Sequence, residues 1–412
     1  MGRYVCGFVV LLAVGPAGCQ SLIPRGGGSC PAPGPVSNLV DRDAQTETAP
    51  VVDLRAVVPP AGSPPMRPDG PRPFNVLVLS GGGAYGAYSA GVLAGWSEAG
   101  TRPRFDVVTG VSTGALVATM AYLGPDRDPD LKRFYTRVTD KDVFARRPDL
   151  AALLSDALAD SRPLEKLIEQ AIDVELLRQV AAEHAKGRRL YVGTTHLDAR
   201  RLVVWDMGAI ASRGRPEDLA LFRKVLLAST ALPGLLPPVA IPVEVDGKQY
   251  EEMHVDGGVT ASLFFRPPQV PKEQVAGLGD RPLAGSTVYV IVAGKLYADP
   301  EPVRQRFLSI VGSSVSSLLY AQTRGDLYEV YAVALATGMT YRMTAVPPGV
   351  PVPVSSTSFD PVAMHRLYEA GRRQTKTADL WRATPPGTGA GEVVPVRAGV
   401  RLNTAPAEPR ID

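Results

Sequence analysis

Two strand–turn–helix units, placed 31 positions apart from Gly81 to Ser112, constrain the fold of this chain most strongly. In the first unit, an apolar run at residues 74–79 (FNVLVL) ends at Gly81-Gly82-Gly83 and is followed by a helical pattern. In the second unit, residues 105–109 (FDVVT) end at Gly110-Val111-Ser112-Thr113-Gly114 before another helical pattern. Short apolar and β-branched runs that alternate with helices predict a mostly parallel sheet with helices on both faces. The predicted fold class is therefore α/β, with three α/β/α layers.

Later segments continue this alternation. Strands are predicted at residues 190–195, 202–206 and 288–293, and helices at residues 216–228 and 304–335. The sequence contains no internal repeat. The long pattern at residues 304–335 is interpreted as a packing helix, and its small and apolar residues leave a role in gripping acyl chains open.

Composition limits the chemistry that this fold can carry. The chain has 412 residues, 45% of them hydrophobic, and 44 basic side chains stand against 41 acidic ones. This balance indicates a globular chain without a strong positive field, so no nucleic-acid partner is expected. The three cysteines, Cys6, Cys19 and Cys30, lie near the start of the chain, and the four histidines form no helical pair. No metal site and no cofactor are predicted, so catalysis has to come from hydroxyl and carboxylate groups.

Residues 1–18 have the organisation of a secretory signal peptide. A positive residue is followed by an apolar run at residues 4–14, which is too short to span a bilayer. The ending Ala17-Gly18-Cys19 resembles a bacterial lipobox, whose cysteine is lipidated, although Pro16 stands where a leucine is usual. The alternative is an ordinary cleaved signal peptide in which Cys19 has no role. A lipidated Cys19 predicts anchoring in the bacterial cell envelope, with the outer membrane as the expected location.

The rest of the chain divides by composition. Residues 19–73 are rich in Pro and Gly and are predicted to form an extended tether. Residues 74–383 carry the alternating strands and helices of one folded domain. Residues 384–412 are again rich in Pro, Gly and Ala and are predicted to be a disordered tail.

The glycine turn after the first strand allows several interpretations. Gly81, Gly83 and Gly86 fit the spacing of a dinucleotide-binding fingerprint, whereas the Gly-Lys-Ser/Thr of a nucleotide phosphate loop is missing. A tight turn without any ligand is a further possibility. Unpaired N–H groups at the start of a helix also suit an oxyanion hole. Because parallel neighbouring strands bring their loops to one sheet edge, a nucleophile at Ser112 favours the oxyanion hole.

Ser112 is the centre of a G-x-S-x-G elbow, in which Gly110 and Gly114 leave room for a sharp turn between strand and helix. A serine hydroxyl needs a base that accepts its proton. Three histidines lie in segments that suggest surface or structural roles: His184, His196 and His365. Asp256, at the start of an Asp-Gly-Gly sequence, is the other candidate base, although such a sequence also forms plain turns.

Taken in order, these motifs resemble the patatin-like phospholipase family. The matching segments are Gly81–Gly86, Gly110–Gly114, Ala228–Pro233 and Asp256–Gly258. The resemblance implies a three-layer patatin-like fold and a Ser/Asp dyad that works without a histidine. In that dyad Ser112 is the acylated nucleophile, and Asp256 is the base that activates first the serine and then water.

The same resemblance implies roles for the glycines and a class of substrate. Backbone N–H groups of Gly81, Gly82 and Gly83 are expected to form the oxyanion hole. Five further glycines support the motifs: Gly86, Gly110, Gly114, Gly257 and Gly258. The expected substrate is a membrane lipid or another acyl ester, cleaved by a phospholipase A or lysophospholipase reaction. Tyr85 stands where the family commonly has Arg or Lys, and Ser80 replaces a frequent Asp, so efficiency or substrate choice is expected to differ.

Two alternatives to this function remain open at the level of sequence. One is an esterase of the α/β-hydrolase type with a Ser/Asp/His triad, for which His365 is the candidate histidine. The other is a lipid-binding envelope lipoprotein that keeps the fold without turnover, suggested by Tyr85 and Ser80. Labelling of Ser112 by a fluorophosphonate separates the second alternative from both enzymes.

Overall fold

The computed structural model describes residues 73–148, 155–245, 248–265, 283–353 and 355–388. The predicted signal peptide and Cys19 lie outside these residues, as do residues 20–72 and 389–412. The chain divides into two compact units. The larger unit, Ala49–Ile241 with Glu252–Asp412, contains every residue of the site described below. The smaller unit comprises Met1–Thr48 and Pro242–Glu251, of which the structure describes parts of two strands.

The described residues form one large sheet and one small one. The strands are β1 (Asn75–Leu79), β2 (Val107–Val111), β3 (Ala145–Arg146), β4 (Ala159–Asp160), β5 (Arg189–His196), β6 (Arg201–Asp206), β7 (Val239–Val245), β8 (Lys248–Asp256), β9 (Thr287–Val292) and β10 (Thr340–Ala345). The large sheet has the order β10-β9-β1-β2-β5-β8-β7, with β6 also paired to β5, while β3 and β4 pair separately. The strands from β10 to β5 are parallel neighbours. The predicted α/β class with a mostly parallel sheet is thereby confirmed.

Helices cover both faces of this sheet. They are α1 (Gly86–Glu98), α2 (Thr113–Leu123), α3 (Asp128–Arg137), α4 (Asp140–Val143), α5 (Arg162–Ala171), α6 (Val174–Ala185), α7 (Met207–Arg213), α8 (Pro216–Ser229), α9 (Phe307–Thr337) and α10 (Pro361–Gln374). On one face, Val76 and Val78 of β1 share a core cluster with Leu327 of α9. Leu77 and Leu79 point to the opposite face and are also fully buried. Side chains of both faces are therefore removed from water, as a three-layer fold requires.

The parallel order ends at β5, and this change positions the site. Strands β6 and β8 both run antiparallel to β5, with β6 paired along residues 191–196 and β8 along residues 194–196. Because β6 occupies one edge of β5, β8 lies on the other edge, where β2 pairs with residues 189–193. Strands β2 and β8 therefore approach each other end to end along β5. Asp256 is the last residue of β8, so it meets the residue that follows β2.

Helix α9 has 31 residues, and its described buried positions lie only in the last eleven, residues 327–337. Buried positions begin at Leu327 and recur to Thr337, whereas the turns before Leu327 contain no buried residue among those whose side chains are described. The interpretation as a packing helix therefore holds for these last eleven residues alone. No helix in the described ranges, α9 included, combines the length and apolarity that crossing a bilayer demands.

Candidate active site

Ser112 stands between β2 and α2 in a strained backbone conformation. Its φ of 55° lies in the left-handed region, which among the described non-glycine residues only Arg200 shares. The N–H of Ser112 donates to the hydroxyl of Ser229 at 2.9 Å, and that hydroxyl donates to the carbonyl of Gly193 at 2.7 Å. Ser229 ends helix α8, and Gly193 lies in β5. These two elements therefore hold the elbow in its strained conformation.

The glycines around Ser112 are required by close packing. A Cβ atom at Gly110 would overlap the backbone of Gly114, and a Cβ atom at Gly114 would lie 2.6 Å from the carbonyl oxygen of Leu79. A Cβ atom at Gly86 would collide with the side chain of Thr113. The elbow can approach the end of β1 and the start of α1 only because these three positions lack a side chain.

The carboxylate of Asp256 faces the serine. It accepts a hydrogen bond from the N–H of Gly258 at 2.7 Å, and the hydroxyl of Ser112 is close enough to interact with it and lower its pKa. Asp256 is 4% exposed. Burial raises the pKa of Asp256 to about 6, and the Ser112 hydroxyl and the Gly258 N–H act in the opposite direction. A Cβ atom at Gly257 would lie 2.6 Å from the carbonyl oxygen of Gly193, so the end of β8 is held tightly against β5.

The glycine turn lies beside Ser112, but its three amides are not equivalent. A Cβ atom at Gly81 would lie 3.1 Å from the Cβ of Ser112. The N–H of Gly81 donates to the carbonyl of Ser262 at 2.9 Å and is therefore occupied. For the N–H groups of Gly82 and Gly83, the described part of the chain contains no hydrogen-bond acceptor. Two amides, where the sequence suggested three, are thus available to an oxyanion.

The dinucleotide interpretation of this turn finds no support in the structure. A pyrophosphate would have to approach the N-terminus of the helix that follows the turn. The carbonyl of Ser356 occupies that position, where it accepts the N–H of Ala84 at 2.7 Å. The same carbonyl would overlap a Cβ atom at Gly83. The segment around Ser356 therefore covers the place that a dinucleotide would need.

The two residues that depart from the family pattern have structural partners here. The Ser80 hydroxyl donates to the Gly81 carbonyl and accepts the Ala293 N–H, both at 2.8 Å. It thereby links the glycine turn to the end of β9. Tyr85 lines the cleft, and its hydroxyl donates to the carbonyl of Pro353 at 3.2 Å. Burial raises the pKa of Tyr85 to about 12, so this side chain carries no charge at neutral pH.

Lys295 is a cleft residue that the sequence analysis missed. Its side chain is 8% exposed, and its ammonium group lies 2.6 Å from the carboxylate of Asp299. Both residues line the same cleft as Ser112. A cation is therefore present in the cleft although Tyr85 replaces the family's Arg or Lys. Its position shortly after β9 could have revealed it, because the ends of parallel strands share one sheet edge.

The cleft around Ser112 and Asp256 is large and mainly apolar. Its volume is about 1180 Å³, which exceeds the roughly 300–1,000 Å³ of ordinary small-molecule sites. Helices α2, α3 and α5 supply apolar side chains to its wall: Leu116, Met120, Phe134, Leu164, Leu167 and Ile168. An elongated apolar group, such as a fatty acyl chain, fits a wall of this composition better than a polar metabolite does.

The four histidines, all of which the structure describes, lie away from this cleft. His254 is buried and hydrogen bonded to Thr194 at 2.9 Å and to Glu252 at 3.0 Å, and His196 stacks on it. His365, the candidate of the triad alternative, is exposed on helix α10. The geometry therefore offers no histidine to Ser112. In the described ranges, no group of three or more His, Cys, Asp or Glu side chains could hold a metal ion.

Comparison with known proteins places these residues in a family. The model of the patatin-like phospholipase family matches residues 77–268. No curated protein matches the sequence significantly. Among solved structures, VipD from Legionella pneumophila is similar at 15% identity and a TM-score of 0.38, over 74% of this chain and 66% of VipD. Human GIVD cytosolic phospholipase A2 is similar at 11% identity and a TM-score of 0.32, over 74% of this chain and 58% of that protein.

A third similar structure is ExoU from Pseudomonas aeruginosa, solved in complex with SpcU, at 14% identity and a TM-score of 0.29. The match covers 65% of this chain and 52% of ExoU. This chain thus spans between about half and two thirds of the length of these proteins. The family match includes the glycine turn, Ser112 and Asp256. Residues 77–268 are therefore identified as a patatin-like phospholipase domain.

Proposed function

We propose that this protein is a serine acyl hydrolase that cleaves carboxylic esters of lipids by a phospholipase A or lysophospholipase reaction. The observation that carries the proposal is the interaction of the Ser112 hydroxyl with the buried Asp256 carboxylate, at the wall of a large apolar cleft. The family match supports hydrolysis of lipid esters. The reaction passes through an acyl-enzyme on Ser112.

In the first half of the reaction, the Ser112 oxygen attacks the ester carbonyl carbon while Asp256 accepts the hydroxyl proton. The carbonyl oxygen becomes an oxyanion, which accepts hydrogen bonds from the N–H groups of Gly82 and Gly83. In other hydrolases, one such donor contributes about 3–4 kcal/mol to the transition state. When the tetrahedral intermediate collapses, the alcohol leaves with the proton from Asp256, and the fatty acyl group remains on Ser112.

In the second half, Asp256 accepts a proton from a water molecule whose oxygen attacks the acyl carbon. The same two amides stabilise the second oxyanion. Ser112 leaves with the proton from Asp256, and the fatty acid is released. A pKa of about 6 makes Asp256 a stronger base than an exposed carboxylate and leaves it ionised at neutral pH.

The test combines active-site labelling with product analysis. A fluorophosphonate probe should label Ser112, as located by mass spectrometry, and the protein should release fatty acid from phospholipid or lysophospholipid. Ser112→Ala and Asp256→Asn should each lose labelling and lower kcat at least about a thousandfold. Asp299→Asn is the matched control, because it removes a carboxylate from the same cleft without touching Ser112.

Labelling of Asp256→Asn at the rate of the parent protein would contradict the dyad. A folded parent protein that neither reacts with the probe nor releases fatty acid would instead favour the lipid-binding lipoprotein. Circular dichroism of each variant distinguishes loss of the base from loss of the fold.

We also propose that Cys19 is lipidated and anchors the protein in the bacterial cell envelope. The support is the Ala17-Gly18-Cys19 sequence after an apolar run. In a bacterial host, incorporated radioactive palmitate and sedimentation with the membrane fraction should both be lost in Cys19→Ser. Label retained in Cys19→Ser would contradict the anchor.

A further inference from the structure

The first twenty residues of helix α9, residues 307–326, contain no buried side chain among those that the structure describes, unlike the packed face of a typical soluble helix. From Leu327 onward, buried positions recur every three or four residues, and several of them belong to the core cluster over the sheet. A helix without tertiary packing is only marginally stable in water. These turns therefore keep surface that a partner outside the described fold could cover.

Most of this exposed stretch of α9 is uncharged and carries several large apolar side chains. Residues 307–323 (FLSIVGSSVSSLLYAQT) contain no charged side chain. Large apolar residues are well exposed along these turns, with Phe307 at 75% and Leu318 at 69%. The others lie between 42% and 51% exposed: Ile310, Val311, Val315 and Leu319. Apolar side chains clustered on one helix mark a site of interaction with a protein or a lipid.

Residues 307–323 of α9 are continuous with the candidate active site. Gly312, Val315, Leu318 and Leu319 line the same cleft as Ser112. A protein seated on this surface would obstruct the mouth of the cleft. A lipid surface would instead present substrate to it, because acyl chains could pass from the lipid onto the apolar wall without crossing water.

The charged residues at the edge of this surface also favour a lipid surface as the partner. Arg304 and Arg306 are exposed directly before the helix, where they can contact anionic headgroups. The acidic residues at the rim of the cleft are Asp299, which is paired with Lys295, and Glu301. No acidic side chain interrupts the apolar turns themselves.

We propose that residues 307–323 of helix α9 form an interfacial helix that lies on a phospholipid bilayer and delivers lipid from that surface to Ser112. The substrate class is then a lipid within a bilayer, not a dispersed ester. This inference deepens the proposed function, and its binding step is independent of hydrolysis. It also assigns a membrane contact that does not require Cys19.

The test measures binding to vesicles of phosphatidylcholine and phosphatidylglycerol by sedimentation. The full chain carries Cys19→Ser and Ser112→Ala, which remove the proposed anchor and the nucleophile. In this background, Phe307→Ser and Leu318→Ser should each weaken binding about tenfold, because each apolar side chain no longer enters the lipid. Leu335→Ser is the matched control, since Leu335 is 59% exposed in the packed last part of the same helix, residues 327–337.

With Ser112 restored, Phe307→Ser, whose side chain does not line the cleft, should hydrolyse vesicle lipid about tenfold more slowly and a short soluble ester at the parent rate. Vesicle binding that is equal in Phe307→Ser, Leu318→Ser and the parent would overturn the proposal. A parent dimer that Leu318→Ser converts to a monomer, with no vesicle binding by either, would assign the surface to a second copy. Absence of ester hydrolysis with vesicle binding intact would contradict the proposed function alone.

Discussion

At the scale of single residues, the protonation state of Asp256 sets the pH dependence of the proposed reaction. Burial raises the pKa of Asp256 to about 6, and only the ionised carboxylate accepts the proton of Ser112. We therefore expect kcat/KM for a soluble ester to fall about tenfold for each pH unit below about 6 and to level off above it. A pH–rate profile from about pH 4 to about pH 8 measures this dependence.

The titration of Asp326 has to be distinguished from that of Asp256 in the pH–rate profile, because burial raises the pKa of Asp326 to about 6 as well. Asp326→Asn removes one of the two titrations, and we expect the acidic limb to persist in this variant. An acidic limb that vanishes in Asp326→Asn would assign the pH dependence to Asp326 and contradict the role given to Asp256.

The raised pKa of Asp256 also has a consequence for stability. Its value is about 6 in the folded chain against 3.8 for an ordinary Asp. The stabilisation from the protonated form is complete below pH 3.8 and is lost as the pH rises through 6. Above that pH, the buried charge costs up to about 3 kcal/mol. Asp256→Asn should therefore raise the free energy of unfolding at about pH 8 and leave it nearly unchanged at about pH 4.

Urea unfolding of the parent protein and of Asp256→Asn across this pH range measures the difference. Asp326 contributes equally to the pH dependence of the free energy of unfolding in both proteins, so its contribution cancels in the difference. A difference in the free energy of unfolding that is the same at both ends of the range would show that Asp256 has an ordinary pKa.

At the scale of secondary-structure elements, Asp326 connects helix α9 to the glycine turn. Its carboxylate accepts the N–H groups of Ser262 at 2.7 Å and Leu263 at 3.3 Å, and the carbonyl of Ser262 accepts the N–H of Gly81 at 2.9 Å. Asp326→Ala leaves two N–H groups without their acceptor, so we expect a loss of about 2–4 kcal/mol in stability. Because the turn beside Ser112 is then less firmly held, fluorophosphonate labelling should also slow about tenfold.

Asp326→Asn provides the conservative comparison, since its amide oxygen can still accept both hydrogen bonds. We expect it to recover most of the stability and of the labelling rate. Glu329→Ala, an exposed position one turn further along α9, should change neither quantity. Equal effects of Asp326→Ala and Glu329→Ala on the labelling rate would show that Asp326 does not position the turn.

The strands and helices that follow from local patterns were predictable, whereas the contacts between distant segments were not. The strand predicted at residues 74–79 is β1, Asn75–Leu79, and the helix predicted at residues 216–228 is α8, Pro216–Ser229. Local sequence also singled out Ser112 and Asp256, which the structure brings together. It could not show that β8 runs antiparallel along the same edge of β5 as β2, because strand direction depends on pairing across more than fifty residues.

The same limit explains which site residues were missed. The supports of the glycine turn come from segments far along the chain, as when the Ala293 N–H donates to Ser80. Lys295 carries no motif of its own, so only its place beside the cleft identifies it. Likewise, residues 307–326 and the packed residues 327–337 of α9 have the same helical sequence pattern. Only their burial in the structure distinguishes the two parts.

At the scale of the whole molecule, the fold does not end where the family match ends, at residue 268. Strand β9 lies between β1 and β10, so the later chain pairs directly with the strand that carries the glycine turn. Helix α10 packs so closely on α1 that a Cβ atom at Gly91 would overlap the carbonyl of Tyr368, and one at Gly371 that of Tyr88. The segment after residue 283 therefore completes both the sheet and the layer that covers it.

A fragment of residues 73–268 should consequently fail to fold. It leaves one edge of β1 unpaired and exposes Val76 and Val78, which share a core cluster with Leu327. Exposing a fully buried side chain to water costs about 1.5–3 kcal/mol. The summed cost for several such side chains exceeds the whole free energy of unfolding of a typical domain. We expect no cooperative thermal transition and no fluorophosphonate labelling, whereas residues 73–388 should show both. Labelling of Ser112 in the shorter fragment would mean that the site assembles without β9, and that the contacts of Ser80 with Ile291 and Ala293 are dispensable.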